Sequence, residues 1–259
     1  MPPATRIPPI EDATVSYEAW LEAQTPIVPG DLDVKHRRMS KDPFTFLRGT
    51  FYRWAQVWPV ECRDDMWSER VTPDHVLTVP FVRMAAGPMD WEGGSMQNGT
   101  KKTFRVVFDQ PMNQGTRTQQ LAQYVLYESP LQYLAGTPSD YRAAPDFTRA
   151  LAAIPTTWDE TRAIAGAVGD FLVVARRSGN DWYLAAMTDW TARTIDVPLT
   201  FLPAGTYAAT IVSDGMNADR YAADYRIEKR EVESAATLTL RLAPGGGYVA
   251  RLSSVTSGR

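Results

Sequence analysis

The chain has 259 residues, with 27 Lys and Arg against 30 Asp and Glu, a formal net charge of −3, 44% hydrophobic and 22% charged residues. That length allows one large domain or two modest ones around a real core, with an ordinary globular composition. The small net charge and scattered basic residues exclude nucleic acid as an expected partner. No apolar run approaches the roughly 18–20 residues that cross a bilayer, so no membrane is expected either. The single cysteine, Cys62, excludes an internal disulfide and a cysteine-rich zinc site. The two histidines, His36 and His75, lie far apart and argue against a serine triad or a multi-histidine metal site.

In chain order, Met1–Ile10 lacks the apolar core of a secretory signal, so the cytoplasm is the default expectation. Residues 1–64 read as a helical segment. Tyr17, Trp20 and Leu21 recur at helical spacing behind Ser16 as a cap. Pro26, Pro29 and Gly30 break the pattern, and Asp42-Pro43 opens a second helix. Its wide apolar stripe is Phe44, Leu47, Phe51, Trp54 and Trp58.

Val76–Met84 reads as a buried strand, residues 85–113 as a long loop, and Gln114–Leu134 as a helix with Leu121, Tyr124, Val125 and Leu131 inward. Strand, loop and helix in that order make one unit of an eightfold β/α barrel. A short helix over Asp146–Ala152 precedes a run of short strands. Phe171–Arg176 and Trp182–Met187 flank Ser178-Gly179-Asn180-Asp181, a hairpin signal. Thr194–Leu199, Tyr207–Ser213, Leu238–Leu242 and Tyr248–Leu252 follow, punctuated by Pro203-Ala204-Gly205 and Pro244-Gly245-Gly246-Gly247. The expected fold is α+β: a helical segment over 1–64, a strand-loop-helix barrel piece over 65–137, and an antiparallel β-sandwich over 138–259.

Two resemblances attach to these segments. Asp31-Leu32-Asp33-Val34-Lys35-His36-Arg37-Arg38-Met39 and Pro43-Phe44-Thr45-Phe46-Leu47-Arg48-Gly49-Thr50-Phe51-Tyr52-Arg53-Trp54 resemble the start of the bacterial domain of unknown function 2252, over about residues 14–63. From about 67 to 252 the chain resembles the C-terminal part of glycoside hydrolase family 97. Val71-Thr72-Pro73-Asp74-His75, Ala86-Gly87-Pro88-Met89-Asp90-Trp91, Ile154-Pro155-Thr156-Thr157-Trp158-Asp159-Glu160-Thr161, Asp189-Trp190, Asp214-Gly215-Met216-Asn217-Ala218 and Leu242-Ala243-Pro244-Gly245-Gly246-Gly247 carry that likeness in order.

The family cleaves α-glucosidic or α-galactosidic bonds with calcium among its substrate-binding groups, and its C-terminal domain can mediate subunit contacts. The resemblance therefore implies α-glucosides or α-galactosides as ligands and self-association through the sandwich. Cleavage requires two carboxyl groups flanking the bond. The family's Asn-Glu-Gly-x-x-Gly-x-Glu motif does not occur here, and Glu61, Asp64, Asp65 and Glu69 lack matching surroundings. No catalytic residue and no retained calcium ligand are assigned. The expected function is a truncated or chimeric family 97 relative that is not catalytic as it stands, or a non-catalytic carbohydrate-binding or oligomerisation module.

The substrate-side candidates are Met89, Asp90 and Trp91. Asp90 would bond a sugar hydroxyl and Trp91 would stack on a pyranose ring, or else Asp90 caps a turn and Trp91 packs the loop. Glu128 is read as a structural residue within the helix, Trp158-Asp159-Glu160 as a salt-bridge or turn feature, and Trp182 and Trp190 as core or sugar platform.

Overall fold

A computed structural model describes residues 69–92, 95–107, 112–134 and 136–255. The described residues all belong to one compact unit. The helices expected before residue 64, with His36 and Cys62, lie outside the described residues.

The described part opens with helix α1 (Pro73–Val82), where the sequence suggests a strand over Val76–Met84. Local signals favour a helix at its start. Thr72 is its N-cap and accepts from the His75 amide, Pro73 occupies the first turn, and Asp74 adds a favourable charge there. An apolar run of this length fits either structure, and Val76, Leu77 and Val79 share one buried side at helical spacing. Pro80 inside the helix cannot donate to the Val76 carbonyl four residues earlier. The buried Tyr127 hydroxyl donates to it instead, at 2.8 Å.

The expected long loop holds three short strands: β1 (Asp90–Glu92), β2 (Asn98–Gly99) and β3 (Asn113–Gln114). Helix α2 is Arg117–Leu126, shorter than the expected Gln114–Leu134. Thr116 caps its start and Tyr127 leaves the helical region at its end, so Glu128 lies beyond it. Leu131 then falls in β4 (Leu131–Tyr133) and is 46% exposed, whereas Leu121, Tyr124 and Val125 are buried as expected. β1 and β4 pair in parallel, as do β2 and β3. A barrel unit with its strand at 76–84 is thus replaced by a helix and two small parallel pairs. Helices α3 (Pro138–Ala143) and α4 (Pro145–Ala152) lead into the β region.

Eight antiparallel strands follow: β5 (Glu160–Ala167), β6 (Phe171–Ser178), β7 (Asp181–Thr188), β8 (Arg193–Pro198), β9 (Thr206–Asp214), β10 (Tyr225–Glu233), β11 (Thr237–Leu242) and β12 (Gly247–Ser254). Six form one sheet in the order β10-β9-β12-β7-β6-β5, and β8 with β11 form a second. The β6–β7 hairpin turns through Gly179-Asn180, as its sequence signals, with Gly179 at φ 59°. β5 and β10 escape a reading based on apolar runs. β5 is rich in Ala and Gly, and β10 is densely charged, and each is an edge strand.

The large sheet is buried on both faces. Alternation sends Val173, Ala175, Trp182, Leu184, Ala186, Ile211, Ala250 and Leu252 into a core with Leu238, Leu240 and Leu242 of β11. The opposite face sends Leu172, Val174, Tyr183, Ala185, Met187, Val212 and Val249 into a core shared with α1, α2 and Phe147 and Leu151 of α4. This face lies under helices of the same chain.

Arg176 fastens the two parts. Its guanidinium is 3% exposed and donates to the carbonyls of Tyr127 and Leu126 at 3.1 and 3.2 Å. Those are orphan acceptors at the C-terminus of α2, where a cation is also favoured by the helix dipole. Glu128 completes the pair at 3.1 Å, and burial pulls the Arg176 pKa down while Glu128 offsets it.

Two outcomes follow. Tyr127→Phe is expected to destabilise the fold by about 1–3 kcal/mol in urea titrations, because the Val76 carbonyl loses its donor. Adding Pro80→Ala, which restores the helical amide, is expected to recover part of that loss. Excising residues 157–253 would strip the cover from seven apolar side chains on one sheet face, each worth roughly 1.5–3 kcal/mol if large and fully buried. That fragment is expected to lose cooperative unfolding by near-ultraviolet circular dichroism, whereas residues 69–259 retain it.

Candidate functional site

The most elaborated polar region is where the N-terminus of α2 meets the end of β9 and the turn before β12. Thr116 accepts from the Gln119 amide at 3.0 Å, and its hydroxyl donates to Asp214 Oδ1 at 2.6 Å. Asp214 Oδ2 accepts from the amides of Ala243 and Gly247 at 2.8 and 3.1 Å. Helix, β9 and the glycine turn are thus joined through one carboxylate. The turn's spelling is steric. A Cβ at Gly246 would strike Asp214 Oδ2, and one at Gly247 would strike the backbone of Gln119. Burial pushes the Asp214 carboxyl up to about 7 in spite of its hydrogen bonds.

Arg117, at the first position of α2, turns away from the helix dipole. It donates to the Met96 carbonyl at 2.7 Å, and its guanidinium carbon lies 5.8 Å from the ring centroids of both Phe147 and Tyr225. The Tyr225 hydroxyl donates to Asp146 Oδ1 at 2.7 Å. Burial, with Asp146 next, holds the Tyr225 phenol up at about 12, and the same bond pulls Asp146 below the usual carboxylate range.

The Arg117 amide donates to the Ala222 carbonyl at 2.8 Å, anchoring the loop Gly215–Asp224. That loop closes on itself. Gly215 and Asp224 bond through their backbones at 3.0 Å, and Asp224 Oδ2 accepts from the Asn217 amide at 2.8 Å. Ala218 and Ala222 are buried beneath it, while Met216 and Tyr221 are 97% and 64% exposed.

The residues singled out from sequence fall elsewhere and are mostly interior. Met89 and Trp91 are buried, and Trp91 stands edge-on to the rings of Tyr124 and Tyr127 at 4.4 and 5.2 Å. Trp91 is 1% exposed. Asp90 sits in β1, paired with Leu131. Trp182 is a core residue against Phe201, and the half-buried Trp190 lies beneath Gly245. Asp159 and Glu160 both pair with Arg177, at 3.4 and 3.3 Å, in keeping with a salt-bridge role. Among the described residues no three His, Cys, Asp or Glu side chains gather into a set able to hold a metal ion.

The residues of this region that are not among the sequence-based site candidates are Thr116, Arg117, Met216 and Tyr221. Only the crowding of Asp214-Gly215-Met216-Asn217 and Pro244-Gly245-Gly246-Gly247 hinted at a tight junction.

Residues 157–253 match the family described as glycosyl-hydrolase 97 C-terminal, oligomerisation. The β region is therefore a family 97 C-terminal domain. The likeness extends upstream of that domain. The chain is 43% identical over 176 residues to a retaining α-galactosidase of Bacteroides thetaiotaomicron, covering 68% of this chain and 27% of that one. It is 32% identical over 206 residues to a probable retaining α-galactosidase of Streptomyces bingchenggensis, covering 80% and 30% respectively. A family 97 enzyme of a Pseudoalteromonas species, solved with panose, superimposes with a TM-score of 0.62 at 40% identity, over 71% of this chain and 29% of that one. The chain thus spans under a third of the length of these relatives. The resemblance is supported for the C-terminal domain over residues 157–253, while the one over 14–63 concerns residues outside the described part.

A pH dependence follows from Asp214. Its folded pKa lies above the unfolded value near 3.8, so the folded state holds the proton more tightly. Stability is highest below that unfolded value and falls as pH rises from about 4 to 7, by at most ~1.4 kcal/mol per pH unit from this group. Asp214→Asn, which mimics the protonated carboxyl, is expected to flatten the thermal midpoint across that range relative to the parent.

Proposed function

We propose that this chain is a non-catalytic assembly module of the family 97 type, which holds copies of itself together. The observation that carries the reading is the match of residues 157–253 to a domain whose described role in that family is oligomerisation. Several acidic side chains of this region support it, because they are engaged in holding the fold. Asp214 serves backbone amides, Glu128 serves Arg176, Asp159 and Glu160 serve Arg177, and Asp181 serves Arg251. Glycosidic cleavage needs two carboxyl groups left free to flank a bond.

A second reading is binding of α-galactosides. It is favoured by the identity to the Bacteroides α-galactosidase, which runs over 176 residues and so reaches beyond the C-terminal domain. The relatives' hydrolytic activity belongs to chains of which this one matches less than a third.

Sedimentation velocity across a concentration series is expected to give a reversible dimer or higher oligomer. Incubation with a chromogenic α-galactoside and added calcium is expected to give no turnover above buffer. A strictly monomeric protein would remove the assembly reading, and calcium-dependent turnover would remove the non-catalytic one. Saturable galactoside binding by a monomer would favour the second reading.

A further inference from the structure

The assembly reading leaves open which surface meets the second copy, and the two edges of the large sheet are poorly suited. β10 carries Arg226, Glu228, Lys229, Arg230, Glu231 and Glu233 within nine residues, a charged edge of the kind that blocks strand addition. β5 is broken by a register shift between Ala163 and Ala165, and such a bulge twists an edge out of line.

The loop Gly215–Asp224 has the opposite character. It is rigidly built, with its two ends bonded together and Ala222 tied to the start of α2, yet it lifts Met216 and Tyr221 into solvent at 97% and 64% exposure. Between them stand Asp219 and Arg220, whose own contact is only 3.8 Å, with the Arg220 side chain 85% exposed. The guanidinium is open to a second acceptor. Tyr, Met and Arg are the residue types enriched at the centres of protein interfaces. A loop fixed beforehand also loses little freedom on binding.

We propose that a second copy of this chain docks on this loop about a two-fold axis. Asp219 of each copy faces Arg220 of the other, and Met216 of each packs against the other's Tyr221 ring. The proposal rests on the assembly reading and names its surface. A two-fold contact must be self-complementary, and adjacent opposite charges flanked by two apolar groups meet that condition. The sulfur–aromatic contact adds packing at the centre.

The test is a charge exchange in the full chain, read by sedimentation velocity. Asp219→Arg places two cations on the loop and Arg220→Asp places two anions. Each variant alone therefore opposes like charges and is expected to raise the dimer dissociation constant about tenfold or more. An equimolar mixture is expected to recover association as a dimer with one copy of each, which also shows that both variants are folded. If both variants associate as the parent does, the interface lies elsewhere; the proposal fails and the assembly reading survives. If the parent is monomeric throughout, the assembly reading fails and the proposal with it. Weakened variants that do not recover on mixing overturn the charge pairing.

Discussion

The structure depends on one constraint: a six-stranded sheet with apolar side chains on both faces. The central strands β6, β7 and β12 cannot turn either face to water, so each face needs a cover. One face is met by the β8–β11 pair and the other by α1, α2 and α4. The sandwich and the segment before it are therefore energetically one body, although the family domain begins only at residue 157.

Polar bonds set how that cover is seated. Arg176 reaches out of the sheet to the last carbonyls of α2, and Asp214 reaches up to the cap at its start. A helix whose two ends are both held by the sheet beneath it has little freedom to slide. Two buried glutamines along α2 add to this: Gln119 donates to the Thr188 carbonyl and Gln120 accepts from Asn98. The same seating fixes the loop Gly215–Asp224, because the Arg117 amide at the start of α2 holds Ala222. The exposed loop is thus tied to a buried helix end.

Much of this was legible from the residues. β8 and β11 read as strict alternation, with Leu238, Leu240 and Leu242 inward and Thr237, Thr239 and Arg241 outward, because only one face is buried. The unbroken apolar runs of Phe171–Ala175 and Trp182–Met187 carried the complementary signal of burial on both faces. The candidate site was less legible. Trp91 beside Asp90 suggests a sugar platform, but Tyr124 and Tyr127 converge on its ring. Met216 and Tyr221 give no periodic signal, since loop exposure depends on which neighbours the chain folds back against.

The sequence by itself determined strands β6 to β9, β11 and β12, the Gly179-Asn180 hairpin and the family likeness, because local turn chemistry and side-chain alternation act within a few residues. Only the tertiary structure decided that Pro73–Val82 is a helix, that Trp91 is interior and that Asp214 carries a strained proton balance. Each rests on a partner distant in the chain: Tyr127 closing the gap opposite Pro80, two tyrosines enclosing Trp91, and Thr116, Ala243 and Gly247 enclosing one carboxylate.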